Sequence, residues 1–154
     1  MTTIIILATV GSGMVTGLLF AFSNFIMRAL AELPDDKGMF TMQRVNETII
    51  NPVFFLLFFG TPLLCSLIAI NFFMQYESPN NLLLLLGALT YLIGPFGITL
   101  LFNVPLNNQL AITSPSDAKD IWPGYQKKWQ RWNHYRTTIG VISIFLLASG
   151  LGST

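Results

Sequence analysis

Charged residues are scarce in this 154-residue chain: only 10% are Asp, Glu, Lys or Arg, 53% are apolar, and the mean hydropathy is +0.62. Soluble globular chains are about a quarter charged. A surface this apolar could not be covered with polar groups in water, which excludes a soluble enzyme. The formal net charge of +1 gives no general attraction to nucleic acid. A single cysteine, Cys65, excludes both a disulfide framework and a zinc site built from cysteines.

Charge is absent altogether from four long stretches of the chain, which cover residues 1–27, 48–76, 78–116 and 137–154. A membrane-spanning helix needs roughly 20 mostly apolar residues. The sequence therefore predicts an all-α fold, a four-helix transmembrane bundle that forms a single integral membrane domain over residues 1–154. The spans are expected at residues 4–27, 49–74, 82–103 and 137–150. The last span is short and is expected to continue a helix that begins in the preceding loop.

All eight Lys and Arg residues lie in the first and third loops between these spans. The second loop, around residues 75–81, contains none, and neither terminus contains any. Loops rich in Lys and Arg stay in the cytoplasm. Loops 1 and 3 are therefore predicted to be cytoplasmic, and both termini to face outside. The lipid bilayer is the predicted surroundings of the four spans.

Loops 1 and 3 each carry the pattern of a short amphipathic helix in the membrane interface. In loop 1, the segment 33–38 predicts a break. After it, apolar residues recur at helical spacing: Met39, Phe40, Met42, Val45 and Ile49. In loop 3, the segment 103–108 is expected to end the third span. The segment 122–124 (Trp-Pro-Gly) is expected to separate a short helix from the one that enters the fourth span.

The two loops also share a sequence. Residues 43–46 (Gln-Arg-Val-Asn) correspond to residues 130–133 (Gln-Arg-Trp-Asn), and each stretch precedes a span by a similar distance. This match suggests a tandem duplication of a two-span unit, with chance matching as the alternative. Because both loops lie on one side, the pseudo-twofold axis would run along the membrane normal.

Polar side chains are costly in hydrocarbon, and most of those in the predicted spans fall near one end of the bundle. If the four helices pack together, these side chains meet at one depth, near the cytoplasmic ends: Asn24, Arg28, Gln43, Asn46, Asn51, Asn103, Asn107, Asn133, His134, Arg136 and Thr137. The outer half offers little comparable, mainly Asn71 and Gln75. Trp132, Asn133 and Arg136 share a helix face, whereas His134 points roughly 100° away from Asn133. The sequence therefore predicts a polar pocket at the cytoplasmic side.

Each of these residues also has a purely structural interpretation. Asparagines often hydrogen-bond neighbouring helices in membrane bundles, and arginines extend towards lipid phosphates. His134 is the only histidine and could be without a role, or could ligate a haem iron through one axial bond, although no partner histidine is present. Conventional zinc and di-iron sites need more ligands than the chain offers. No metal and no cofactor are therefore predicted, and haem at His134 stays the alternative.

Four segments, at residues 17–30, 42–54, 103–111 and 129–137, resemble the anthrone oxygenase family of small four-span membrane proteins, many of them bacterial. The most specific motifs are Asn-Val-Pro-Leu-Asn at 103–107 and Trp-Asn-x-x-Arg-Thr at 132–137. The resemblance implies a bacterial inner-membrane protein that binds a lipophilic phenolic or quinol-like small molecule inside the bundle. It implies a binding set that we take as Gln43, Asn46, Asn103, Asn107, Trp132 and Asn133, with Arg136.

Some members of the family take part in oxidising anthrones to anthraquinones with dioxygen, so the resemblance implies an oxygenase or oxidoreductase. Such a reaction needs one general base and donors aimed at the developing oxyanion. His134 is predicted to be the base, because its unperturbed pKa lies near neutrality. Arg136 is predicted to supply donors and Trp132 a stacking wall. The alternatives are a non-catalytic membrane module that binds lipid, quinone or haem or assembles with a partner, such as a second copy in a homo-oligomer, and a small carrier.

Overall fold

The computed structural model describes residues 1–74 and 79–152, with the backbone alone at 79–81. The described chain is entirely helical, apart from short connections, and contains no strand. We number five helices, of which α4 runs continuously through three segments. They are α1 (Thr2–Ala31), α2 (Asp35–Thr48), α3 (Pro52–Met74), α4 (Pro79–Tyr91, Leu92–Asn103 and Val104–Ala111) and α5 (Ala118–Gly152).

The predicted all-α four-helix bundle is confirmed. Helices α1, α3, α4 and α5 are each long and apolar enough to cross a membrane. They pack in a ring, α1 against α3, α3 against α4, α4 against α5 and α5 against α1. Large apolar side chains cover the outside of this ring, among them Leu56, Phe73, Leu101 and Phe145. Hydrocarbon is the solvent that suits such a surface, and the chain is an integral membrane protein.

The amphipathic helix predicted in loop 1 is α2. It begins after Pro34, where the backbone is extended. Asp35 and Asp36 in its first turn interact favourably with the positive end of the helix dipole. Its apolar face, with Met39 and Met42, is buried against the ends of α1 and α5. A Cβ atom at Gly38 would lie 2.6 Å from the Leu30 carbonyl oxygen, so only glycine allows α2 to approach α1 this closely.

The predicted end of the third span at segment 103–108 is wrong, because α4 continues to Ala111. Its middle segment, Leu92–Asn103, is a π-helix, and the Val104 N–H bonds back to the Thr99 carbonyl, five residues earlier. The next segment returns to α-helical geometry, so Pro105 lies directly where the register changes. Its missing N–H therefore falls at a point where the regular hydrogen-bond ladder is already interrupted.

The separate short helix predicted in loop 3 is also wrong. Pro115–Asp117 form one 3₁₀ turn, and α5 then runs unbroken through Pro123 into the fourth span. Proline removes one hydrogen bond from a helix interior. Trp122 and Tyr125, on either side of Pro123, are buried among Met27, Met39 and Met42 of the neighbouring helices. This packing keeps the helix continuous through the proline.

Two apolar clusters are stacked along the bundle. One surrounds Cys65, Tyr91 and Leu147, and the other surrounds Met39 and Trp122. The second lies at the end that carries loops 1 and 3, which we call the basic end because it holds all eight Lys and Arg residues. The second predicted loop falls partly on residues 75–78, outside the described residues. The duplication stays a prediction.

Close approach between α4 and α5 depends on Gly87, where an added Cβ atom would lie 2.9 Å from the backbone nitrogen and from Cγ of Leu147. We expect Gly87→Ala to lower the free energy of unfolding by about 1–3 kcal/mol, the usual cost of overpacking. Gly13→Ala is the matched control, since nothing lies within 4 Å of a Cβ atom there. Thermal unfolding in detergent, followed by circular dichroism, measures both. Equal midpoints for the two variants would contradict the close α4–α5 contact.

Candidate functional site

Asn133 of α5 links two helices through its side-chain amide and is fully buried. Its Nδ2 donates to the Leu19 carbonyl oxygen at 2.8 Å and to the Ser23 hydroxyl at 2.7 Å, both on α1. Its Oδ1 accepts from Nε and Nη2 of Arg136, at 3.0 and 2.8 Å, from the next turn of α5. Asn133 thus ties α1 to α5 and fixes the plane of the guanidinium.

Arg136 is the charged centre of the site, and only 5% of the residue is exposed. Its Nη1 donates to Thr99 Oγ1 of α4 at 2.7 Å, and the guanidinium carbon lies 5.0 Å from the centroid of the Trp129 ring. Every hydrogen-bond partner it has within the described chain is neutral. No described carboxylate forms an ion pair with it. A buried cation without a counter-ion is costly. A ligand that places negative charge beside Arg136 would lower that cost.

Two π-helical segments flank Arg136. Phe22–Ile26 in α1 begins beside Leu19 and contains Ser23, and Leu92–Asn103 in α4 contains Thr99. The Thr99 hydroxyl donates in turn to the carbonyl of Pro95 within the second segment. Wide π turns are rare and occur often at functional sites. Of the three partners that hold the Asn133–Arg136 pair from other helices, Ser23 and Thr99 lie in such a segment and Leu19 lies just before one.

Asn103 and Asn107 lie one turn apart on α4 and both contact α5. Asn103 Nδ2 donates to the Trp129 carbonyl at 3.2 Å, while its buried Oδ1 has no partner. Asn107 Oδ1 accepts from the Tyr125 hydroxyl at 2.9 Å and from Trp129 Nε1 at 2.8 Å. Asn107 therefore orients two aromatic side chains, and one of them, Trp129, lies under the guanidinium.

A cavity of about 260 Å³ opens beside Arg136, near the lower end of the range of small-molecule pockets, roughly 300–1,000 Å³. Its lining is mostly apolar and includes Leu18, Leu19, Phe22, Phe54, Phe58 and Trp129. Its polar lining residues are Gln43, Asn46, Glu47, Thr99, Asn107, Asn108 and Arg136. The exposed members of the lining mark the mouth, between the α2–α3 junction and the end of α4: Glu47, Ile50, Asn108 and Ala111.

Four of the residues predicted for the site line this cavity: Gln43, Asn46, Asn107 and Arg136. Gln43 Nε2 donates to the carbonyls of Leu110 at 2.7 Å and Thr113 at 3.2 Å, which fixes α2 against the end of α4. Asn46 Nδ2 is buried without a hydrogen-bond partner. These four side chains therefore lie around one cavity, although they come from three different helices.

The other four predicted residues lie outside the cavity lining: Asn103, Trp132, Asn133 and His134. Asn103 and Asn133 are buried behind its wall. Trp132 stacks on Phe102 with ring centroids 3.7 Å apart. His134 is exposed, with Nδ1 3.1 Å from the Ser23 hydroxyl. The catalytic role of His134 and the stacking role of Trp132 stay predictions, made for residues that do not line the cavity.

Sequence reasoning missed Glu47 and Thr99 in the lining, and Ser23 behind it. The signal for Glu47 is helical spacing, since Gln43, Asn46 and Glu47 follow one another at i, i+3 and i+4 on one face. The sequence analysis also underestimated the number of polar side chains in the other half of the bundle. Several hydroxyl groups are buried there: Ser12, Thr16, Thr61, Tyr91 and Ser143. Gln75, named as polar there, lies outside the described residues.

Metal ligands do not cluster in the part of the chain that the structure describes, where no three His, Cys, Asp or Glu side chains lie together. Among the described residues, Ser23 is the one polar partner of His134. A haem ligated there stays an untested alternative.

Comparison with protein families gives a match over the second, third and fourth spans. The model of the anthrone oxygenase family matches residues 54–146, which is more than half of the chain. The matched region includes Thr99, Asn103, Asn107, Asn133 and Arg136. No curated protein and no solved structure matches the chain.

Replacement of Asn133 tests whether it holds the site together. We expect Asn133→Ala to lower the free energy of unfolding by about 2–4 kcal/mol, because two guanidinium N–H groups of Arg136 lose their buried acceptor and the bonds to Leu19 and Ser23 are lost, at roughly 1–3 kcal/mol per buried group. Thr138→Ala, at an exposed position of the same helix, is the control and should change little. Denaturation in detergent, followed by Trp fluorescence, measures both. A loss no larger than that of the control would show that Asn133 does not bridge α1 and Arg136.

Proposed function

The chain belongs to the anthrone oxygenase family, and we propose that it is an oxygenase that oxidises a lipophilic aromatic substrate of the anthrone or quinol type in the cavity beside Arg136. Family membership supports oxygenase-type or related chemistry. The observation that carries the finer proposal is a buried guanidinium at the wall of an apolar cavity, with only neutral partners in the described chain.

The walls of the cavity suit a flat, apolar ring system. The rings of Phe54 and Phe58 are stacked, with centroids 5.3 Å apart and planes 12° from parallel, and Trp129 lies on the α5 side. Aromatic side chains favour stacked or edge-on contact with a planar ligand. A substrate of this kind partitions into lipid, and the mouth beside the membrane-interface helix α2 gives it a path from the bilayer.

The polar groups left free in the lining are mainly donors. Asn46 Nδ2 has no partner, and Asn107 has its oxygen engaged by Tyr125 and Trp129, which leaves its amide N–H groups for a ligand. A guanidinium has five N–H groups, and only three of those of Arg136 are used by Asn133 and Thr99. Such a set of donors favours a ligand that presents oxygen acceptors, as a ketone, enolate or quinone does.

The proposed reaction begins when a base removes a proton from the methylene carbon opposite the anthrone carbonyl. The electron pair of the C–H bond then delocalises onto the carbonyl oxygen, which becomes an enolate oxygen beside Arg136. Dioxygen adds to the same carbon to give a peroxide anion, which takes up a proton to replace the one removed, and the resulting hydroperoxide loses water to give the quinone. One dioxygen is consumed and one water is formed. Arg136 stabilises the oxyanion, the role that preorganised donors fill in many enzymes.

The alternative functions stay open to test, although the cavity does not favour a carrier. Its lining ends at Val15 on α1, at Phe58 on α3, at Thr99 on α4 and at Arg136 on α5. It therefore belongs to the half of the bundle at the basic end, whereas a carrier needs a passage that reaches across the bilayer. The assignment of the basic end to the cytoplasm remains part of the proposal.

Arg136→Gln is expected to lower kcat for anthrone oxidation by about 10²–10³, the usual loss when an oxyanion donor is removed. Dioxygen consumption and quinone absorbance, measured on protein in lipid nanodiscs, report turnover. Arg131→Gln is the matched control, because Arg131 is exposed and lies over Trp132, and it should retain full activity. Arg136→Lys keeps the charge and should retain a fraction of the rate.

Two results would contradict this proposal. Oxidation by Arg136→Gln at the wild-type rate would remove Arg136 from the reaction. Wild-type protein that binds the anthrone, seen as quenching of Trp fluorescence, but never consumes dioxygen would favour the non-catalytic binding module instead.

A further inference from the structure

The proposed oxidation needs a proton acceptor, and the cavity offers one carboxylate. Among the described residues that line it, Glu47 and Arg136 are the only two with ionisable side chains. His134, the base predicted from the sequence, is exposed and does not line the cavity. A general base must come within hydrogen-bond distance of the proton that it removes, directly or through one water. Position alone therefore favours Glu47 over His134.

Helix α2 presents Glu47 to the cavity together with its neighbours. Gln43, Asn46 and Glu47 stand at i, i+3 and i+4 on one face of α2, and Ile50 is the second residue beyond its end at Thr48. All four line the cavity. Glu47 thus lies on the same face as Asn46, whose amide nitrogen is free, while Arg136 lines the cavity from α5.

The surroundings of Glu47 suit a base that must be regenerated. Its Oε2 accepts a hydrogen bond from Nη1 of Arg44, three residues earlier on the same helix. An exposed pair of this kind contributes little to stability, but it restricts the orientation of the carboxylate. More than half of the Glu47 side chain is exposed, so a proton taken up there can pass to water.

We infer that Glu47 is the general base of the proposed reaction. In an anthrone the carbonyl oxygen and the methylene carbon lie on opposite sides of the central ring, so an oxygen held by Arg136 leaves the methylene group facing away from α5. The Glu47 carboxylate takes the proton of that C–H bond and becomes a neutral acid. The electron pair moves through the ring to the oxygen beside Arg136. This step needs no oxidant and rests on the proposed function.

Deuterium exchange isolates this step from the reaction with dioxygen. An anthrone incubated anaerobically in D₂O with wild-type protein in nanodiscs should exchange its methylene hydrogens faster than in protein-free nanodiscs, as mass spectrometry reports. Glu47→Gln should lose about a hundredfold or more of this enhancement, as expected for removal of a general base, while the anthrone still quenches Trp fluorescence. Glu32→Gln, at an exposed residue just beyond α1, and His134→Ala should exchange at the wild-type rate.

The outcomes separate the base from the function. Glu47→Gln that binds the anthrone and exchanges at the wild-type rate overturns the inference, as does a loss confined to His134→Ala, and both leave the oxygenase proposal standing. If Glu47→Gln no longer binds, Glu47→Asp decides: partial exchange supports the inference, and exchange at the wild-type or the protein-free rate overturns it. Wild-type protein that neither exchanges nor oxidises the anthrone overturns the proposed function and this inference together.

Discussion

The structure depends on a positive charge that is buried without a negative partner in the described chain. Arg136 is held by Asn133 from its own helix and by Thr99 from α4, and Asn133 is in turn anchored to α1. Three of the four spanning helices therefore contribute to one hydrogen-bonded group. Taking a cation out of water costs several kcal/mol even after relaxation. Hydrogen bonds to neutral oxygens recover part of that cost, and the cation–π contact with the Trp129 ring recovers another part. The packing at the basic end must therefore keep these partners in place.

The membrane fold could be predicted from charge alone. Absence of Asp, Glu, Lys and Arg over four long stretches leaves few alternatives to spanning helices, and the positions of the asparagines placed polar groups at one level. The positions of the charges do not show where a helix continues and where it ends. Residues 103–108 and 122–124 carry the local signals of a break, yet both stretches are helical. At the first, a π segment changes the register just before Pro105, and at the second, buried Trp122 and Tyr125 outweigh the lost hydrogen bond. Both effects are tertiary or depend on register, so no local pattern announces them.

The candidate site shows the same division at the level of single side chains. Asn133 and Arg136 could be assigned to one inward face because their spacing on a helix is fixed. The face of α2 that contacts the bundle could not be assigned as firmly, since an interface helix is polar on several sides. Glu47 therefore has no local signal that sets it apart from the other charges of loop 1, whereas His134 is distinguished as the only histidine. The rotation of α2 is set by contacts of Gly38, Met39 and Gln43 with other helices, which no single segment of sequence specifies.

In the proposed reaction, a buried charge of this kind would let a small protein discriminate between two forms of one substrate. A neutral ketone gains only a hydrogen bond from the guanidinium, whereas an enolate of nearly the same shape gains a full charge–charge interaction. In a site of low effective dielectric constant that interaction is several times stronger than in water. Interactions that are stronger for the reacting species than for the substrate raise kcat, whereas those that favour both equally do not. In the proposed reaction, the lack of a counter-ion among the described residues is therefore the property that makes Arg136 useful, because a carboxylate beside it would remove the preference for the enolate.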